Sequence, residues 1–151
     1  MPEAIVITPV KDSPKTTTET IRSICEARGD FDYFVYDDFS KPETKIILKQ
    51  EQKKYGFNLI HLEDKTSTPS PNYKIVLQIA RQEAIKKEIP LIIIESDVII
   101  RQTTIEQLLK LNHELKSPGL IGAITTDKRG RYNFPYNYEK KKNKEIVNTS
   151  H

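Results

Sequence analysis

Five short runs of apolar and β-branched residues alternate along this chain with four segments of helical periodicity, and few folds accept that order. Ala4 to Val10 (AIVITPV) reads as a first strand ended by Pro9. Asp12 or Ser13 is placed to cap a helix with Pro14 at its first position, where a missing N–H costs nothing. Ile21, Ile24, Cys25 and Arg28 continue that helix's stripe, and Gly29 stops it. Tyr33 to Tyr36 is a second strand running into Asp37-Asp38. The next helix starts at Pro42, turns Ile46 and Ile47 inward and ends at Gly56. Phe57 to Leu62 alternates as a third strand, and the polar stretch Glu63 to Pro71 is a loop. From about Asn72, Ile75, Val76, Ile79, Ala80 and Ala84 mark a third helix that must end before Pro90. Leu91 to Ile94 is a fourth strand, Thr103 or Thr104 opens a helix carrying Leu108, Leu109 and Leu115, and Leu120 to Thr125 is a fifth strand. Strict β-α alternation predicts an α/β fold: a mostly parallel sheet of about five strands with right-handed crossovers and helices on both faces.

The 151 residues suffice for one domain with a real core. The net charge of +3 is unevenly placed: from Asp127 onward seven Lys/Arg face three Asp/Glu, leaving 17 positive against 18 negative groups before it. The body of the chain is therefore not a basic nucleic-acid binder. Residues 1–126 are expected to form the α/β domain, and residues 127–151 a separate aromatic, then Lys-rich segment. No apolar run approaches the ~20 residues of a membrane span. MPEAIVITPV has no basic region before its apolar run, so a signal peptide is not expected. A single cysteine, Cys25, precludes an internal disulfide and agrees with a cytoplasmic setting; its neighbours Ile21 and Ile24 suggest a packed thiol.

Chemistry is expected where strands end. In an open α/β sheet, ligands sit outside the carboxyl ends of the strands. Leu91-Ile92-Ile93-Ile94 reads as a strand buried on both faces, and it delivers Glu95 and Asp97 at i, i+2 spacing, on one side of an extended backbone. Two acids so held repel unless a cation sits between them, and an all-oxygen site suits Mg²⁺ or Mn²⁺. Thr8-Pro9-Val10 and Asp37-Asp38 should reach the same edge, although an acidic pair followed by Ser40 and Pro42 also describes an ordinary turn. No Gly-x-Gly-x-x-Gly or Gly-x-x-x-x-Gly-Lys run is present, so the glycine route to a pyrophosphate is missing, and a divalent ion held by acids is the other common route.

VITPVKDS, VYDDFS and IIIESDV, in that order across residues 4 to 125, resemble the nucleotide-binding half of a family 2 glycosyltransferase of the GT-A fold. The resemblance implies that Pro9 and Val10 line the base, that Asp38 binds it with Ser40 beside it, and that Asp97 holds a metal on the donor's pyrophosphate. Glu95 stands where the family has a first Asp, Ser96 between them joins the donor-contacting group, and Asn72 lies where donor contacts are expected, although it also reads as a helix N-cap. It further implies inverting transfer from a UDP- or GDP-sugar to a glycan or lipid-linked acceptor, with Mg²⁺ or Mn²⁺. Family members continue into an acceptor-binding half that supplies a catalytic base. Here Asp127 and Glu139 are the only acids between the fifth strand and Glu145, and neither stands in a recognisable base motif, so the catalytic residue stays unassigned and the chain reads as a donor-binding half.

Smaller features have plainer readings. His61 and His113 lack a third ligand at metal spacing and read as structural. Arg131 to Tyr138 interleaves aromatics with polar groups, suited to stacking or to covering the sheet. Lys140 to Lys144 is a solvated run or a contact for anionic lipid at the inner face of the membrane. A nucleotide-binding module without catalysis and a sugar nucleotidyltransferase are the rival readings, the latter weakened because KDSPK lacks the glycine-rich loop. A phospho-receiver would carry its acidic pair after the first strand, not the second.

Overall fold

The computed structural model describes residues 1–116, 118–127 and 129–131. Its elements run β1 (Ala4–Val10), α1 (Pro14–Cys25), β2 (Phe31–Asp37), α2 (Pro42–Tyr55), β3 (Asn58–His61), a 3₁₀ turn (Leu62–Asp64), α3 (Tyr73–Lys87), β4 (Leu91–Ile93) and α4 (Thr104–Glu114). The four strands pair in parallel in the order β3-β2-β1-β4. Among the described residues there is no fifth strand: residues 121–125 have no regular structure, and Leu120 is almost fully exposed. The chain divides into a compact unit, Met1–Pro118, and a second unit, Gly119–His151, so residues 119–126 group with the second unit rather than with the sheet.

Period-two alternation along β1 and β2 builds two cores. Ala4, Val6 and Val10 of β1, with Tyr33 and Val35 of β2, face Ile21 and Ile24 of α1, Leu48 of α2, and Ile105 and Leu109 of α4. Ile5, Ile7 and Tyr36 point the other way and meet Val76, Ala80 and Ala84 of α3 together with Leu62. The sheet is therefore sandwiched between helices, as alternating β and α segments require. Two alanines in the buried stripe of α3 let that helix lie close to the strands.

Several local expectations change. In α2 the buried residues are Thr44 and Leu48, whereas Ile46 is 58% exposed; apolar character alone did not identify the helix's inner face. Gly56 does end α2, at φ 77°, the left-handed conformation a glycine adopts without strain. Gly29 does not end α1, which stops at Cys25. Instead it lies where α4 comes close, and a Cβ there would sit 3.1 Å from Ile105 Cγ2. β4 is not buried on both faces: Ile93 is 43% exposed, because β4 is the outer strand of the sheet among the described residues. Cys25 is half-buried with its thiol pushed up to about 11, first by burial and then by nearby Glu51 and Glu26, which fits a packed, unreactive group.

The α2 packing supplies a direct check. Leu48→Ala is expected to cost about 2–5 kcal/mol of stability. Ile46→Ala should stay within about 0.5 kcal/mol. Urea unfolding of the two variants measures both, and equal losses would contradict the burial pattern.

Candidate functional site

The loops that follow β1 and β2 are laced together at the carboxyl edge of the sheet. The Asp38 N–H donates to Val10 O at 2.8 Å, just beyond the β1–β2 ladder. The Asp12 N–H donates to Ser40 Oγ (2.9 Å), and the Lys41 N–H donates back to Asp12 Oδ1 (2.8 Å). Lys11 reaches the Phe39 carbonyl with its ammonium group. Asp12, Ser13 and Phe39 all hold positive φ, and the cross-loop bonds keep them there. Asp12 therefore does not cap α1. Ser13 occupies the cap position without a side-chain bond, and the Asp12 carboxylate serves the neighbouring loop instead.

Asp38 is the centre of this edge. It is only 7% exposed. Its Oδ2 accepts from the Ser70 hydroxyl (2.7 Å) and the Asn72 N–H (2.8 Å), and its Oδ1 accepts from Asn72 Nδ2 (2.8 Å). Burial pushes its carboxyl upward, but these donors together with the Lys11 charge outweigh burial and hold it below the usual carboxylate range. Asn72, itself 3% exposed, also donates from Nδ2 to Thr68 O (3.0 Å). It stands at the N-cap position of α3 but makes no side-chain cap bond: its Nδ2 serves Asp38 and Thr68, and its buried Oδ1 has no hydrogen-bond partner.

The fourth strand tip joins through the next residue. The Tyr73 hydroxyl donates to Glu95 Oε1 at 2.9 Å, so consecutive residues at the start of α3 grip the tips of β2 and β4. Burial, the hydrogen bond to Glu95 and its charge together raise the Tyr73 hydroxyl above its ordinary value. Glu95 and Asp97 are both exposed, and Ser96 is partly so. They do not lie in an extended strand as expected: β4 ends at Ile93, and the Val98 N–H donates to Glu95 O (3.1 Å), closing a turn. The two carboxylates are thus carried on a turn rather than on one side of a strand. Ser40 is buried with its hydroxyl accepting from Asp12, Pro9 is half-buried, and the Val10 side chain lies inside the core with its carbonyl taken by Asp38.

A second group, missed by the sequence reading, lies at the β2–β3 tips. Asp37 is fully buried, and its Oδ2 lies 2.7 Å from His61 Nδ1. Asp37 Oδ1 accepts from the Ser40 N–H (3.1 Å). Glu63 completes the only trio of metal-capable side chains among the described residues, although Lys45 currently pairs with it. His61 therefore has a buried carboxylate as its partner. The signal was the register, which sets Asp37 opposite His61, and register is invisible before the strands pair. Asp127 is committed elsewhere, in a turn: its Oδ1 accepts from the N–H groups of Arg129 (2.8 Å) and Arg131 (3.0 Å), and its Oδ2 pairs with the Arg131 guanidinium. The aromatic stretch beyond Arg131, Glu139 and Lys140 to Lys144 lie outside the described residues.

The family model for glycosyl transferase family 2 matches residues 5–150. The chain belongs to that family. No curated protein sequence matches it. The fold of this family 2 domain is similar to S. aureus TarS 1-349 (TM-score 0.54, 22% identity, 74% of this chain and 32% of that one). The TarS 1-349 structure in complex with UDP matches over 83% of this chain and 40% of that one, with TM-score 0.54 and 19% identity. The mannosyltransferase PcManGT from Pyrobaculum calidifontis, in complex with GDP-Man and Mn²⁺, matches with TM-score 0.58 and 17% identity over 72% of this chain and 32% of that one. The family 2 domain thus spans less than half the length of these relatives, and at such identities the likeness establishes the GT-A fold.

Asp38→Asn tests the knot itself. At pH 7 the substitution is expected to lower stability by about 1–3 kcal/mol, through lost charge-assisted bonds to Ser70 and Asn72. Because the folded carboxyl is depressed, the wild-type advantage is complete above its unfolded value of ~3.9 and is lost only as pH falls through the lower folded value. Urea titrations from pH 7 to about pH 3 should show a constant gap that closes at the acidic end; a gap that closes near neutrality would refute the assignment.

Proposed function

We propose that this chain is the nucleotide-sugar-binding portion of an inverting glycosyltransferase. The observation that carries the reading is the joining of the β2 and β4 tips by Asn72 and Tyr73, which sets Asp38 and Glu95 into one edge of the sheet. In this reading Pro9, Val10, Asp38, Ser40, Asn72 and Ser96 form the donor-contacting surface. Asp38 and Asn72 act chiefly by holding its shape, since most of the Asp38 acceptor capacity is already taken. Lys11, tied to the same loop, adds a positive charge beside an anionic donor.

Glu95 and Asp97 are exposed oxygen donors on one turn, a set that fits Mg²⁺ or Mn²⁺ bound largely through water and substrate phosphate. When bound, such an ion neutralises charge that gathers on a departing diphosphate. The chain's own residues orient the donor: Tyr73 fixes Glu95, and the laced loops fix the turn after β2. The donor is a UDP- or GDP-sugar and the acceptor a glycan or a lipid-linked sugar, used at the cytoplasmic face of the membrane with Lys140 to Lys144 touching anionic lipid. The base that deprotonates the acceptor is assigned to no residue of this chain, so the chain alone is expected to bind donor without turning it over.

Calorimetric titration with UDP and GDP, each with and without Mn²⁺ or Mg²⁺, tests this. Wild type should bind one of the two more tightly when the ion is present, and Asp97→Ala should lose that dependence. Nucleotide affinity that ignores both the ion and the substitution would refute the reading.

A further inference from the structure

The trio at the β2–β3 tips is chemically different from the acids of the β4 turn. It contains an imidazole. Asp37 ends β2, His61 stands opposite it as the last residue of β3, and Glu63 follows in the 3₁₀ turn. One donor atom from each of the three lies within 4.8 Å of the other two. A hollow of about 220 Å³ opens onto His61 and Glu63 and is lined as well by Lys45, Lys49 and Asp64, giving an ion a route in from solvent. The closest pair, Asp37 Oδ2 and His61 Nδ1, is 2.7 Å apart. Tetrahedral metal bonds of ~2.0–2.2 Å place neighbouring donors roughly 3.4 Å apart, so this pair need open by less than about 1 Å.

We propose that Asp37, His61 and Glu63 form a second cation site, selective for a borderline transition ion such as Zn²⁺ or Co²⁺ and independent of the donor-site metal. Three observations carry this. First, one nitrogen and two carboxylates suit Zn²⁺ and its neighbours, whereas Mg²⁺ prefers oxygen and keeps its water. Second, Asp37 is held from its other oxygen by the Ser40 N–H, the kind of supporting bond that orients a metal-binding carboxylate. Third, the site already holds a cation: the Lys45 ammonium pairs with Glu63. At 33% side-chain exposure Lys45 can swing out to solvent, so it is a competitor rather than a permanent occupant. On binding, His61 would present Nδ1 to the ion and Lys45 would release Glu63. With β3 and β4 at opposite edges of the sheet, three strand spacings of ~4.8 Å separate their tips by roughly 14 Å, too far for one ion to serve both groups. An ion there would pin the β3 end to β2 and, through Asp37 and Ser40, stiffen the loop that carries Asp38.

Titration of the full chain with ZnCl₂ and, separately, MgCl₂ tests the proposal, with thermal unfolding as a second readout. One Zn²⁺ should bind and raise the melting temperature, Mg²⁺ at equal concentration should not, and Glu95→Gln/Asp97→Asn should leave the Zn²⁺ site intact. Loss of even an outer-shell partner costs 10–100-fold in metal affinity, so His61→Gln should weaken Zn²⁺ binding by about 100-fold. Lys45→Met, which removes the competitor while sparing every ligand, should tighten it several-fold. Unchanged Zn²⁺ affinity in His61→Gln, equal binding of Mg²⁺, or weaker binding in Lys45→Met would each overturn the site. Loss of Zn²⁺ binding in Glu95→Gln/Asp97→Asn would reassign the ion to the β4 turn.

Discussion

A nearly buried carboxylate with three donors aimed at it holds the working edge of this domain together. Without partners, an ionised Asp38 at that depth would cost several kcal/mol or pick up a proton. With Ser70 and Asn72 supplying O–H and N–H groups, the charge becomes an anchor to which the Thr68–Asn72 segment must return. The end of that segment is also the start of α3. One ion-stabilised turn therefore sets where a loop closes, where a helix begins and, through Tyr73, where Glu95 is held.

The edge is built from loops, yet it is not loosely built. Asp12 and Ser40 trade bonds across the β1 and β2 loops, and three residues keep left-handed backbone there. Such conformations cost of order 1–3 kcal/mol each and persist only where the surroundings over-determine them. Cross-loop bonds thus order the strand tips in advance, and order supplied in advance is not lost when a ligand binds.

Asp37 and Asp38 show how adjacent, chemically identical side chains acquire different roles. Strand alternation sends them to opposite faces of the sheet. Asp38 meets the Thr68–Asn72 loop and becomes an anchor, while Asp37 meets β3 and finds His61. The pair that reads as a simple acidic turn is in fact a branch point between the Thr68–Asn72 loop and the β2–β3 cluster.

Much of this was legible in the residues. Alternating apolar runs and helical stripes specify a parallel α/β sheet, parallel strands gather their tips at one edge, and three short motifs point to family 2 glycosyltransferases, because periodicity and local turn chemistry are properties of neighbours in sequence. What tertiary structure decided was the identity of partners. Ile46 is as apolar as Leu48 but faces water, Asp12 and Asn72 look like helix caps but bond across loops, and Glu95 and Asp97 sit on a turn instead of a strand. The roles of Asp12 and Asn72 depend on contacts between residues about thirty positions apart, Asp12 with Lys41 and Asp38 with Asn72. Sequence fixes which residues share a face; only the register of paired strands and the landing place of a loop fix what that face meets.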